Sequence, residues 1–345
     1  MSELRRVGVI DVGTVTARVG MADIRDRVVL SIARESRICN LGEGVDATGL
    51  IDDGAIARVL DAVDGFIGFL REHGCQVVGC FLTSAARDAR NVDVLLDALR
   101  ARGLAPEVLS GKVEGAFAFR GVAQAFDCAS MAVADIGGGS TELTSGGRAD
   151  DGAGIDDGGL VVDWSHSFDL GARRLTERFL SRNDPPTRDD VVACCCETRM
   201  AFEAQMPWME GALPHPDTLI ATGGTVTSLA AIKLGLEEYD GALVQGSTLT
   251  VEEVDAFGER FAAMTEAERA EVRGLQPHRA PVILGGTLLV GELMRASGFR
   301  ELTVSEFDGL AGACMAVEGS LDGIPGPVGF LPETAALADL RVPEH

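Results

Sequence analysis

Apolar and polar residues alternate along Val7–Asp11, Val15–Ala22 and Val28–Arg37. Alternation with period two reads as strand, and Gly13 and Asp26 mark turns, so the chain opens as a meander. The period then changes. Across Asp53–Glu72 the apolar positions Ile56, Val59, Leu60, Val63, Phe66, Ile67 and Leu70 recur at spacings of three and four, the stripe of an amphipathic helix. A strand at Val77–Thr83, a helix after Asn91, a short strand near Val108 and a helix from Lys112 follow.

The second half starts the same order again. Met131–Asp135, Thr141–Ser145 and Leu160–Phe168 predict three strands, with a helix from Gly171 and another carrying Cys194, Cys195 and Cys196. Thr218–Thr222 reads as strand, Thr225–Leu234 as helix, and Val251–Ser297 is largely helical. Leu302–Val304 is a last strand, and a helix runs from Gly309 to Glu318. Gly146–Gly159, rich in Gly and Asp, predicts a solvated hairpin loop without chemistry. Four prolines after Gly323 predict an irregular, loosely attached tail. Meanders followed by helical crossovers, twice over, imply an α/β protein of two similar lobes with a ligand cleft between them. The expected limits are 1–124 plus about 305–320 for the first lobe, 125–304 for the second and 321–345 for the tail. A length of 345 residues and 46% hydrophobic content supply two ordinary cores.

Net charge narrows the partners. At −23 the chain lacks the basic face that nucleic acid or an anionic membrane requires. An anionic substrate stays open where arginines gather, since Lys112 and Lys233 are the only lysines. No apolar run reaches transmembrane length, and Met1 to Val12 lacks a signal-peptide core. The eight cysteines show no paired metal spacing, and neither do His73, His166, His215, His278 and His345. A cytoplasmic protein with reduced thiols is expected.

The chemistry concentrates in two turns of one plan. Ile10-Asp11-Val12-Gly13-Thr14 and Ala134-Asp135-Ile136-Gly137-Gly138-Gly139-Ser140-Thr141 each close a strand with aspartate, then bend at glycine beside a hydroxyl. Such a hairpin presents turn amides to phosphate with a carboxylate alongside. In the second turn Asp135 and Glu142 flank the glycines on neighbouring strands, an oxygen donor pair suited to Mg²⁺. After the first turn Thr14, Thr16 and Arg18 share one strand face, two hydroxyls and a guanidinium. Thr83–Ala89 follows a strand and can deliver Arg87 to a site while Ser84 caps a helical turn; an Arg87–Asp88 surface pair is the alternative. Glu114 shares a helix face with Phe117, Ala118 and Gly121, suited to partial burial against the other lobe and so to a raised proton affinity. An ordinary acid in a helix's first turn fits the same spacing. Gly223-Gly224-Thr225 at a strand-to-helix junction can hold phosphate on its amides, and Arg279 is a further candidate for the far end of a polyanion.

The lobe pattern is similar to that of the actin-like ATPase superfamily. Taken in order, Ile10–Thr14, Arg18, Thr83–Asn91, Ser110-Gly111 with Glu114, Asp135–Leu143, Ser167–Phe179 and Ala221–Thr225 resemble the exopolyphosphatase / guanosine pentaphosphate phosphohydrolase family, in its short two-domain form. The resemblance implies an actin-like (RNase H-like) fold and hydrolysis of a terminal phosphoanhydride with Mg²⁺, Mn²⁺ being a possible substitute. By matching position it implies that Glu114 is the catalytic base and that Asp135 and Glu142 bind the metal. Gly138, Gly139, Ser140, Arg18 and Arg87 become phosphate contacts. The remaining phosphate candidates are Asp11, Gly13, Thr14, Thr16, Gly137, Thr141, Gly223, Gly224, Thr225 and Arg279. A homodimer is implied in the same way.

Two positions depart from the family. Val15 stands where an asparagine is usual, and Ser305–Gly312 lacks the arginine and acid of the usual Ser-x-x-Gly-Leu-Arg-Glu-Gly. The expected activity is therefore exopolyphosphatase, with removal of the guanosine pentaphosphate 5′-phosphate as the alternative within the same chemistry. A non-catalytic sensor of guanosine tetraphosphate or polyphosphate, and a kinase on the same fold, are rivals from other classes. A P-loop is absent, which counts against the main other nucleotide-hydrolase class.

Overall fold

In the computed structural model residues 3–148 and 159–342 are described, so most of the loop predicted at Gly146–Gly159 lies outside the described residues. The chain divides into two compact units. The first is built mainly from Met1–Asp127 and Phe307–His345, the second from Cys128–Gly147 and Asp163–Glu306.

In the first unit β1 (Arg5–Val12), β2 (Thr16–Arg25) and β3 (Val28–Ile38) form the antiparallel meander. After the short α1 (Val45–Thr48), α2 (Asp53–Glu72) carries the chain back to β4 (Val77–Leu82), which pairs with β1 in parallel. A parallel pair needs such a crossover. Asp52 caps α2 by accepting from the amides of Gly54 and Ala55 at 2.8 and 3.2 Å, and the predicted stripe from Ile56 to Leu70 is buried, Leu60 only partly. Then come α3 (Ser84–Asp88), α4 (Val92–Ala101), β5 (Pro106–Val108) parallel to β4, and α5 (Gly111–Ala123).

The second unit repeats the plan with β6 (Ser130–Ile136), β7 (Thr141–Arg148) and β8 (Leu160–Phe168), then α6 (Ala172–Leu175), which continues as a π-helical turn over Thr176–Leu180. Next are α7 (Arg188–Glu203), β9 (Thr218–Thr222), α8 (Gly224–Lys233), α9 (Gly241–Val244), β10 (Thr248–Thr250), α10 (Val251–Ala262), α11 (Glu266–Ala270), α12 (Ala280–Ser297) and β11 (Glu301–Ser305). β9 joins β6 in parallel, as β4 joins β1. The strand orders β4-β1-β2-β3 and β9-β6-β7-β8 thus share one core arrangement. The chain returns to the first unit as α13 (Gly309–Ser320) and the two-residue β12 (Ala335–Ala336). Among the described residues no helix is long and apolar enough to cross a membrane.

Three local expectations are corrected. The tail is short of regular structure but not loose: β12 pairs with β4, and Ala335, Leu337 and Leu340 lie in the first unit's core. Its apolar residues are too irregularly spaced for a periodic signal, yet they bury all the same. β7 runs three residues beyond the predicted end at Ser145, because Gly146 and Gly147 keep register with Met131 and Ser130. Finally, Gly121 on α5 faces α13 of its own unit, where an added Cβ would lie 2.0 Å from the Asp308 carbonyl oxygen. Gly312 on α13 meets the Phe117 carbonyl at the same 2.0 Å, so the two helix backbones touch through glycine. That face is closed within the unit.

Candidate active site

The two turns are built on one register. In the first, Asp11 pairs across the hairpin with Arg18, and the Gly13 amide donates to the Thr16 carbonyl at 3.0 Å. In the second, Asp135 pairs with Glu142, and the Gly137 amide donates to the Ser140 carbonyl, again at 3.0 Å. A Cβ at Gly13 or Gly137 would press on that same carbonyl, at 3.0 and 2.9 Å, so both positions favour glycine for close approach. What differs is the residue opposite the aspartate.

In the first unit that residue is a cation. Arg18 donates from Nε and Nη2 to Asp11 Oδ2 at 2.9 and 2.5 Å, and from Nη1 to Asp308 Oδ2 at 2.5 Å. The Arg18 guanidinium is therefore shared by two carboxylates. Thr14 is buried in the turn itself, not on the strand face with Thr16 and Arg18, because its carbonyl accepts from the Gly42 amide at 2.8 Å. The Val15 carbonyl likewise takes the amides of Cys39 and Asn40, so this departure from the family pattern is anchored through its backbone.

Glu114 sits in the first turn of α5, whose Ser110 cap accepts from the Val113 amide at 3.4 Å. Arg87 reaches it from α3: Nη1 donates to Glu114 Oε2 at 2.6 Å and to the Leu109 carbonyl at 2.9 Å. Ser84 is the first residue of α3 and not its cap, which falls on Thr83. The Glu114 side chain is 17% exposed. Burial pushes its pKa above the usual 4.5, Arg87 works against that rise, and Asp11 and Arg18 add smaller opposing effects. Asp11, Arg18, Arg87 and Glu114 thus form one charged cluster within the first unit.

In the second unit the residue opposite the aspartate is a second acid. Glu142 is 2% exposed and receives the Ser167 hydroxyl at 2.6 Å. The glycine turn is tied down through its carbonyls. Gly137 O accepts from the Ala172 amide at 3.0 Å, Gly138 O from the Arg173 and Arg174 amides at 2.9 and 3.1 Å, and Gly139 O from Arg174 Nε at 2.7 Å. With the carbonyls spent on that segment, the peptide planes hold the amides of Gly138, Gly139 and Ser140 toward the other side, the arrangement that receives anions, while the Gly137 amide is spent on Ser140. Thr141 departs from its expected phosphate role: it is fully buried and gives its hydroxyl proton to the Leu170 carbonyl at 2.7 Å.

Gly223 has φ +106, and a Cβ there would stand 2.4 Å from the Ile136 carbonyl oxygen. This contact sets the start of α8 directly beside the second turn. Arg279 lies over Gly224, where a Cβ would overlap its Nη1 at 1.7 Å. Thr225 is buried against Gly286 of α12, so its side chain is a packing group and only its backbone remains for an anion. A separate groove of about 500 Å³ between α7, α10 and α12 is lined by none of these residues.

The donor set distinguishes the two turns for a cation. Asp11 opposite Arg18 is a neutral pair, whereas Asp135 opposite Glu142 carries two carboxylates. Mg²⁺ takes one or two carboxylates and completes its shell with substrate phosphate and water, so the second turn fits it and the first does not. Among the described residues no cluster of three or more acidic, histidine or cysteine ligands is arranged for a metal.

Positions assigned from sequence leave out Ser167, Gly171 and Arg174, which fix Glu142 and the turn. Gly171 has an extended backbone open to any residue, φ −147 and ψ 161, yet a Cβ would lie 2.3 Å from Gly138 O and 2.5 Å from the Gly139 nitrogen. Gly171→Ala should therefore lower stability by about 1–3 kcal/mol and sharply reduce turnover. Urea unfolding and a phosphate-release assay measure the two effects.

Residues 21–309 match the Ppx/GppA phosphatase family. Exopolyphosphatase 2 of Mycobacterium tuberculosis is 35% identical over 332 residues, 92% of this chain and 99% of the relative. Exopolyphosphatase 1 of Mycobacterium bovis is 30% identical over 297 residues, 84% and 82% of the two chains. Among solved structures, an exopolyphosphatase from Cytophaga hutchinsonii superposes with a TM-score of 0.79 at 27% identity, over 93% of this chain and 99% of that one. The Aquifex aeolicus member of the Ppx/GppA family gives 0.75 at 27% identity, with the same coverage.

Proposed function

From the premise that this chain belongs to the Ppx/GppA phosphatase family and is a phosphohydrolase of actin-like fold, we propose that it removes terminal phosphate from inorganic polyphosphate with Mg²⁺. The observation that carries the reading is Glu114, a largely buried carboxylate held by Arg87 and standing beside Asp11 and Arg18. A carboxylate with raised proton affinity is a competent base at neutral pH. Glu114 takes a proton from water as the oxygen attacks the terminal phosphorus. The bridging P–O bond breaks and the shortened chain leaves as its oxyanion, with orthophosphate as the other product.

Arg87 orients Glu114 and offers charge to the transferring group. In the second unit the amides of Gly138, Gly139 and Ser140, with the Gly223-Gly224 junction and Arg279, are the groups suited to phosphate oxygens. Asp135 and Glu142 would hold Mg²⁺, which when bound neutralises charge on the phosphate oxygens. Arg18 acts with Asp11 and Asp308 as a fixed charged group, its guanidinium already engaged by both acids.

Orthophosphate release from polyphosphate and from guanosine pentaphosphate, measured side by side at equal Mg²⁺, tests the substrate. Faster release from polyphosphate is expected. Preference for the nucleotide moves the assignment to 5′-phosphate removal, and binding without release from either moves it to a sensor.

A further inference from the structure

Asp308 lies 290 residues from Arg18, within the Ser305–Gly312 stretch that departs from the family pattern. It is 8% exposed at the start of α13, where Oδ1 accepts from the Leu310 amide at 3.0 Å. Its place is set by backbone contact, since its carbonyl rests on Gly121 of α5, the helix that carries Glu114. Oδ2 receives Arg18 Nη1 at 2.5 Å, and Arg34 Nη2 from β3 lies 3.9 Å from Oδ1. Arg18 also donates from Nε and Nη2 to Asp11. A buried carboxylate thus reaches from the α13 cap to the guanidinium beside the hydrolytic cluster.

We propose that Asp308 is a positioning residue for hydrolysis, clamping Arg18 onto Asp11 and so setting the charge balance around Glu114. The inference rests on the functional reading above. Capping alone would need only the bond to Leu310. Arg18 and Arg34, with the Leu310 and Ala311 amides, hold Asp308 below the usual carboxylate range although burial works to raise it. It therefore stands as a fixed negative charge through the working pH range. Around Glu114 the charged groups are Arg87 from α3, Asp11 from β1 and Arg18 from β2. Around Asp308 they are Arg18 and Arg34, with the Cys314 thiol of its own helix also close.

Asp308→Asn tests this, because asparagine keeps the cap and removes the charge. With one negative charge gone and Arg18 still held twice by Asp11, Glu114 binds its proton less tightly. The acid limb of kcat against pH should move to lower pH, kcat should fall about tenfold, and KM for polyphosphate should not rise. Arg18→Gln removes the opposite charge and should move the limb to higher pH, and the double variant should bring it back toward wild type. An Asp308→Asn enzyme with wild-type limb and kcat, or one with raised KM alone, overturns the proposal. Should Asp308→Asn fail to fold by circular dichroism, Arg18→Gln decides: a limb that stays put or moves to lower pH overturns it. Glu114→Gln in the same series separates the failures. If it is as active as wild type, the functional reading falls; if it is dead while Asp308→Asn is normal, only this inference does.

Discussion

Glu114→Gln lowers orthophosphate release from polyphosphate by about 10²–10⁴-fold, the range typical for loss of a general base. Glutamine has the same size and still accepts from Arg87 through its amide oxygen, so the cluster stays assembled and polyphosphate affinity is retained. Release assays and equilibrium binding with the same polymer check both halves. The pH dependence follows from the direction of the shift. Wild-type activity rises as Glu114 loses its proton, so its acid limb lies above the ordinary glutamate value of 4.5. The folded-state pKa is raised, so the proton stabilises the fold below the unfolded value. That contribution is lost as pH rises through the folded value. Glu114→Gln lacks it, and its melting temperature relative to wild type should therefore climb with pH across that window.

The second large effect falls on the second turn, proposed above to hold Mg²⁺. Asp135→Asn or Glu142→Gln should cut turnover on the order of 10²–10³-fold at moderate Mg²⁺ and raise the Mg²⁺ concentration for half-maximal rate. Glu142→Gln keeps an acceptor for the Ser167 hydroxyl, so the fold is preserved. Asp11→Asn is the informative contrast. Asp11 occupies the matching register position, but its partner is Arg18, so its loss should slow the reaction without moving the Mg²⁺ midpoint. A Mg²⁺ titration of the three variants separates the two turns.

The turns were legible because their determinants are local. Asp, Gly and a hydroxyl within a few residues specify both hairpins, and the spacing from Asp11 to Arg18 equals that from Asp135 to Glu142. The α2 stripe was equally plain, since one face of one helix carries it. Which hydroxyls point outward was not legible. Thr141 and Thr225 turn into the core because the Leu170 carbonyl and Gly286 wait there, and neither partner is near in sequence. Asp308 was hidden for the same reason, its meaning residing in Arg18 at the other end of the chain. Gly171 stood within a quoted motif, but its steric role depends on the Gly138 backbone, which no spacing rule reveals.

The most direct test of terminal phosphoanhydride hydrolysis is a length-resolved gel of defined polyphosphate incubated with the purified chain and Mg²⁺, with orthophosphate counted in parallel. Orthophosphate should appear one unit at a time as the polymer shortens from its end, and none should appear with Glu114→Gln. Polymer that binds but keeps its length at every Mg²⁺ concentration, or that breaks internally without releasing orthophosphate, would contradict the account.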